Sequence, residues 1–484
     1  MNKKLIVRLL GAVLMIEAAA LLPSFFVSLY YQDGDSVPIL ISIFAMLFPG
    51  TLIWFLIHPH ERGHLRYKEG FVIVASGWIV LSIFGALPFF LSGRYPSYID
   101  AIFESASGFT TTGATVLTNF SDYPRGIMFW RGTTHWIGGM GVLVLTLALL
   151  PKMTGRTSHL VRAESPGPSL SKLVPHTGST AKILYSIYIV LTVTEFIALL
   201  LCGLSPYDAA LHAMSNAGTG GFSNYSESVA AFANPAAEAV ITCFMFLFGV
   251  NFALYYKFIK GDRFKAFWHD EEFRWYFNFV GISVILMTLF NLSFYKGNIL
   301  TSVRYSAFEV CSIFSTTGFV TSNFNLWPVA SQALTFLIMF FGACAGSTAG
   351  GIKIVRVVLM GKTSLRSVRT TGDPHKIEVI RMDGKSVDEH MLHQIGNFVF
   401  LYFSLVVLGA FLLTLEGKYD LLTNLSATLT CLSNVGPGFG GVAADFAGYG
   451  YGAKLLCSFL MLAGRLELLP MFILFTGSVW KNIG

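Results

Sequence analysis

The sequence predicts an all-α polytopic membrane protein of about ten transmembrane helices, with four helix/re-entrant pore loop/helix repeats in a quasi-fourfold arrangement. Three observations carry this. Hydrophobic residues make up 54% of the chain and charged residues only 12%, about half the roughly 25% charge of a water-soluble domain. Ten apolar runs come near or exceed the ~20 helical residues that span a hydrocarbon core. Between pairs of those runs one short motif is written four times.

The runs lie at 7–30, 38–57, 70–93, 127–149, 181–204, 235–259, 275–295, 329–358, 393–415 and 451–478. The first follows Lys3 and Lys4 and contains Arg8. It is longer than a signal-peptide core and has no small-residue cleavage site, so it reads as an anchor and not a leader. On this division residues 1–66 hold two extra N-terminal helices. Residues 67–155, 156–265, 266–385 and 386–484 hold repeats 1 to 4, the third with an interrupted second helix.

Basic charge marks alternate connections. Seven Lys or Arg fall between Arg356 and Lys385, and segments 58–69, 151–182 and 257–274 are basic or mixed, whereas 31–37 carries Asp33 and Asp35. Lys- and Arg-rich loops stay cytoplasmic, which puts both termini inside. The formal charge of +6 therefore reports orientation and not nucleic-acid binding. The six cysteines sit in or beside apolar runs without Cys-x-x-Cys spacing, which favours packing over disulfides or a thiolate metal cluster. His58, His60 and His64, with Glu61, read as a polar interfacial turn ahead of a metal site.

The four turns are Thr111-Thr112-Gly113-Ala114, Thr219-Gly220-Gly221-Phe222, Thr316-Thr317-Gly318-Phe319 and Gly436-Pro437-Gly438-Phe439. Each follows a stretch too short to cross, at 100–110, 207–217, 304–314 and 422–433. With Gly113, Gly221, Gly318 and Gly438 aligned, Ser107, Ser215 and Ser312 stand six residues earlier, and Glu104, His212 and Glu309 nine earlier; the fourth copy has Leu432 and Leu429 there. Such recurrence with a helix on either side is an internal repeat. Non-helical backbone at membrane depth survives only where protein buries it or it lines a watery cavity. Four glycine-centred turns meeting on one axis can aim carbonyls inward and replace the water shell of a monovalent cation. Half-helices ending at mid-membrane add their negative C-terminal ends.

The segments Ser107 to Val116, Ser215 to Ser223, Ser312 to Val320 and Asn434 to Gly440 resemble the four filter loops of the Trk/Ktr/HKT potassium uptake superfamily. The overall length, the two extra N-terminal spans and the form Asn434-Val435-Gly436-Pro437-Gly438-Phe439-Gly440 are similar to its bacterial TrkH branch. The resemblance implies a potassium-selective, channel-like homodimer in the bacterial inner membrane, with K+ as the transported ion and no cofactor bound by the chain itself. It also implies a cytosolic, nucleotide-binding TrkA-type regulatory subunit. Gly113, Gly221, Gly318 and Gly438 would form the selectivity ring, and K+ would be held by Thr111, Thr112, Thr219, Gly220, Thr316, Thr317, Gly436 and Pro437.

The run at 329–358 is interrupted by Gly342-Ala343-Cys344-Ala345-Gly346-Ser347-Thr348-Ala349-Gly350-Gly351. Composition leaves two readings, close helix packing through small faces and a broken segment lining a cavity. The resemblance makes it an intramembrane gate, with Gly346, Gly350 and Gly351 in it and Lys353 either at the inner mouth or at a solvated helix end. Arg465, deep in the last run, either pairs structurally or faces the pore, and the resemblance implies an electrostatic barrier below the filter; Glu467, two residues on, does not share its face. Glu195 reads either as a structural residue or as an intramembrane pairing residue, Glu104 and Glu309 as pore-helix anchors, and His135, His212 and Trp136 as packing.

No Walker loop, His-Glu-x-x-His or strand-borne Gly-x-Gly-x-x-Gly is present, so the chain is not expected to be an enzyme. The runner-up is a secondary cation symporter coupled to protons or sodium, which also uses discontinuous helices. A receptor or scaffold gives no reason for four matched turns. Membrane lipid is the remaining partner, and the polar segments near 151–180, 257–274 and 356–391 are available to a cytosolic regulator.

Overall fold

The computed structural model describes residues 3–57, 67–141, 177–262, 264–373, 375 and 378–477. The histidine cluster at 58–64 and the end of the run at 127–149 lie outside them.

Six of the ten apolar runs are helices or near-continuous helical segments long enough to cross a membrane: Lys3–Tyr31, Ser36–Leu56, Glu69–Leu91, Ala181–Leu201, Glu271–Asn291 and Glu389–Thr414. The first two pack on each other through glycines; a Cβ added to Gly11 would lie 3.1 Å from the Gly50 carbonyl oxygen. Small residues let membrane helices approach this closely.

The other four runs are the second, inner helices of the four repeats, and each breaks on its way across. Arg125–Gly139 ends where Gly138 meets the last carbonyl of the first half-helix, a Cβ there falling 1.9 Å from Phe109 O. Pro235–Phe248 turns through 91° into Phe252–Asp262, and its break residue Gly249 has room for no Cβ beside the Tyr276 hydroxyl, 2.4 Å away. Val329–Ile338 gives way to the small-residue loop. Tyr451–Arg465 stops where Glu467 and Leu468 take φ of +57° and +66°. Mean hydropathy cannot see these breaks, because close backbone contacts made elsewhere in the fold cause them.

Half-helices Tyr98–Phe109, Pro206–Ala217, Ile299–Phe314 and Leu421–Ser433 each start on a side-chain cap. Ser97, Ser205, Asn298 and Asp420 accept the backbone N–H three residues on, satisfying donors that an uncapped helix end leaves open. A hairpin of Arg381–Met382 and Lys385–Ser386 closes through Asp383 and Gly384 at φ +50° and +76°, the two-residue geometry that Asp-Gly favours. Glu271 holds it, with Glu271 N donating to Asp383 Oδ1 at 2.7 Å and Asp383 N to Glu271 Oε2 at 3.2 Å. All six cysteines are free.

Candidate functional site

Each half-helix ends in the same two steps. Thr111, Thr219, Thr316 and Asn434 adopt left-handed φ of +54° to +58°, and two residues later Gly113, Gly221, Gly318 and Gly436 take +81°, +76°, +76° and +107°. The residue between them donates its N–H five residues back, to Ser107, Ser215, Ser312 and Thr430, at 2.8 to 3.0 Å. A β-branched residue at positive φ is strained by about 1–3 kcal/mol. Three threonines so held show that the surroundings impose this backbone.

The four turns meet in a cycle. A Cβ on Gly113 would sit 2.0 Å from Gly220 O, on Gly221 2.0 Å from Thr317 O, on Gly318 2.0 Å from Val435 O, and on Gly436 2.7 Å from Thr112 O. Real Cβ contacts do not come under 3.0 Å, so each glycine packs on the next repeat and the fourth packs back on the first.

This geometry corrects the register of the fourth loop. Gly436, not Gly438, is the ring glycine, and Thr430 supplies the hydroxyl residue six positions earlier. Gly438 has ordinary φ and donates its N–H to Val442 O at 3.1 Å, on the way out of the ring. Pro437 lies between the two and lines the vestibule.

On the side of the connections to the inner helices, a cavity of about 430 Å³ is lined by Gly113, Gly221, Gly318, Gly436 and Pro437. Its wall includes Arg131. The fully buried Arg131 Nε donates to Glu104 Oε1 at 2.8 Å, and its Nη1 to Ser223 O of the next repeat at 2.9 Å. Glu104 also accepts from Thr115 Oγ1 at 2.8 Å and Val116 N at 3.0 Å. His212 makes the matching contact in repeat 2, Nε2 to Ser223 Oγ at 3.0 Å. Glu309 has no such contact; its Oε1 finds no partner among the described residues. Glu195 accepts from Asn216 Nδ2 at 2.6 Å, so its partner among the described residues is an amide and not a cation.

The small-residue segment lies directly under the ring. Gly350 N donates to Thr316 Oγ1 at 2.7 Å, and a Cβ on Gly350 would be 2.3 Å from Ser433 O. Gly346 and Gly351 take φ of +73° and +63°, and Gly346 O accepts Phe252 N at 3.1 Å. Both ends of the loop hang on one carboxylate: Glu272 Oε1 accepts Ala345 N at 2.6 Å and Val355 N at 3.2 Å. Lys353 is buried, not a solvated helix end, and its ammonium donates to the Ala349 carbonyl. Half-buried Arg465 donates to Thr348 O of the loop at 2.6 Å and to Gly138 O and Gly139 O of repeat 1 at 2.7 and 2.6 Å. Glu467 pairs instead with Arg356 at 2.5 Å.

Sequence context marks Gly436 as an ion-binding neighbour of the ring and not as its glycine, marks Asn434 and Thr348 only as members of the fourth loop and of the small-residue run, and does not single out Glu272. Thr430, six before Gly436, was the available signal for the first two. Nothing local marks Glu272, which lies 73 residues from Ala345.

Four capped half-helices, a cyclic contact of four positive-φ glycines, a vestibule on one side and a polar loop on the other define a multi-pass membrane transport protein built on pore loops. Sequence comparison sharpens that class. The chain belongs to the TrkH family, described as cation transport protein, whose profile matches residues 36–482. It is similar to the Trk system potassium uptake protein TrkH of Salmonella typhimurium, 34% identical over 488 residues and 100% of both chains. The protein of that name from Vibrio parahaemolyticus is 35% identical over 491 residues, again covering 100% of both. The Trk system potassium uptake protein TrkG of Escherichia coli K12 is 32% identical over 99% of each. The fold matches the crystal structure of the potassium transporter TrkH from Vibrio parahaemolyticus with a TM-score of 0.90 and 32% identity, over 99% of this chain and 100% of that one. As a member of a transport family the chain is not an enzyme.

Proposed function

We propose that the chain is the potassium-conducting membrane subunit of a bacterial potassium uptake system, driven by the electrochemical gradient. The observation that supports this best is the cycle of glycine-to-carbonyl contacts, which brings Thr112, Gly220, Thr317 and Val435 carbonyls to one ring. Ordered carbonyls of this kind substitute for the hydration of an alkali cation, and the relatives named for potassium uptake favour K+. Thr111, Thr112, Gly113, Thr219, Gly220, Gly221, Thr316, Thr317, Gly318, Gly436 and Pro437 make up the filter, with Gly436 in the place first given to Gly438. A potential of 100 mV supplies about 2.3 kcal/mol per cation, so accumulation needs no nucleotide chemistry in this chain.

The loop with Gly346, Gly350, Gly351 and Lys353 is the gate, and Arg465 is the positive barrier below the filter. In this reading the protein works as a homodimer in the inner membrane, both termini in the cytoplasm, under a TrkA-type nucleotide-binding subunit. Proton- or sodium-coupled symport is the second reading, and Glu309 favours it, as a buried carboxylate without a cation partner among the described residues.

Flux into liposomes holding the purified chain tests this, across an imposed gradient and potential. Expected are K+ flux above Na+ flux, its loss in Gly113→Ala, and a rise without loss of ion preference when residues 342–351 are deleted. Equal K+ and Na+ flux, or an active Gly113→Ala, overturns the filter. K+ uptake driven by a pH gradient at zero potential, and lost in Glu309→Gln, selects symport.

A further inference from the structure

Repeats 1 and 3 brace the residue before their ring glycine with a pair of hydroxyls. Thr110 Oγ1 lies 2.7 Å from Thr112 Oγ1, and Ser315 Oγ lies 2.7 Å from Thr317 Oγ1. Repeat 2 has glycine at both places, Gly218 and Gly220. Neither is there for backbone conformation: Gly218 is helical at φ −68°, and Gly220 is absent from the positive-φ glycines.

Space is the reason. A Cβ on Gly218 would lie 2.3 Å from the His135 carbonyl oxygen, and a Cβ on Gly220 would lie 2.3 to 2.5 Å from three atoms of the His135 ring. That ring comes from the inner helix of repeat 1 and is fully buried. It stacks on Phe222 at 4.0 Å and 17°. Its Nδ1 is 2.9 Å from Ser215 Oγ and accepts Phe222 N at 3.4 Å, which puts the proton of a neutral ring on Nε2.

We infer that His135 is the brace of the second pore loop and a determinant of discrimination among alkali cations. Resting on the filter reading, this makes the imidazole the replacement for the hydroxyl pair. The ring fixes where the Gly220 carbonyl points. Because Gly113 packs on that carbonyl, slack at 220 reaches the first loop as well. His135 is a positioning residue, and it acts through backbone, touching no ion itself.

The test compares K+ and Na+ flux of the reconstituted full chain in four variants: His135→Ala, Gly220→Thr, the double variant, and Thr317→Val, which cuts the hydroxyl pair of repeat 3. His135→Ala is expected to lower the K+/Na+ ratio by about 5-fold or more, more than it lowers K+ flux. Gly220→Thr is expected to abolish K+ flux, and adding His135→Ala is expected to restore flux. A changed ratio in Thr317→Val with an unchanged one in His135→Ala overturns the brace and leaves the filter standing. An unchanged ratio in both overturns the filter reading itself. If His135→Ala does not assemble, the double variant decides, and flux no better than that of Gly220→Thr sinks the proposal.

Discussion

Glu104 and Glu309 occupy the same place in the pore helices of repeats 1 and 3, nine residues before the ring glycine, and both are buried, at 0% and 2% exposure. Glu104 meets a guanidinium, a hydroxyl and a backbone N–H. Around Glu309 the hydroxyl and the guanidinium are missing: Val320 replaces Thr115, and among the described residues Glu309 has no ion pair and its Oε1 has no hydrogen-bond donor. One register position thus serves two ends. A carboxylate with its countercharge is a strut between repeats, because Arg131 also reaches Ser223 of repeat 2. A carboxylate without one must bind a proton or a cation to stay buried.

The largest break in this comparison comes from Arg131→Met. Leaving Glu104 buried without its partner costs about 3–5 kcal/mol, and the melting temperature of the purified protein in detergent is expected to fall sharply. A melt unchanged within error would deny Arg131 its role as a strut. Thr115→Val gives repeat 1 the residue that repeat 3 has. It removes a hydrogen bond to a charged acceptor, worth about 1.5–3 kcal/mol, and is expected to lower the melt less than Arg131→Met does. The smallest change belongs to Glu309→Gln, which breaks no ion pair among the described residues and is expected to lower the melt less than Thr115→Val does. The same Glu→Gln change at 104 in parallel sharpens the contrast, and equal losses at both positions would mean that Glu309 has a partner after all.

The architecture was legible wherever a local rule sets it. The half-helix expected at 100–110 is Tyr98–Phe109, and those at 207–217 and 422–433 are Pro206–Ala217 and Leu421–Ser433. The stretch read as 304–314 is longer, Ile299–Phe314, because Asn298 caps it a full turn earlier. The fourth loop was misregistered because Gly-Pro-Gly offers two glycines, and the Gly-Phe match to loops 2 and 3 favoured the second. The backbone instead follows Asn434, whose short side chain tolerates a left-handed φ. His135 read as packing for a related reason. Its role depends on glycines more than 80 positions away, and one sequence does not show that the two sites share a volume.

The contacts of Arg465 bear on the electric field beside the small-residue loop. Gly138 and Gly139 end the inner helix of repeat 1, where unsatisfied carbonyls gather partial negative charge. The guanidinium spreads over those two oxygens and over Thr348 O of the loop, so on the proposed orientation a cation approaching from the cytoplasm would meet less than a full positive charge. A displacement of the loop that withdraws Thr348 removes one of these three oxygens and leaves the guanidinium less screened. On the gate reading proposed above, steric opening and the rise of local positive potential would be mechanically one event, and outward movement of cations would meet its largest repulsion when the passage is widest.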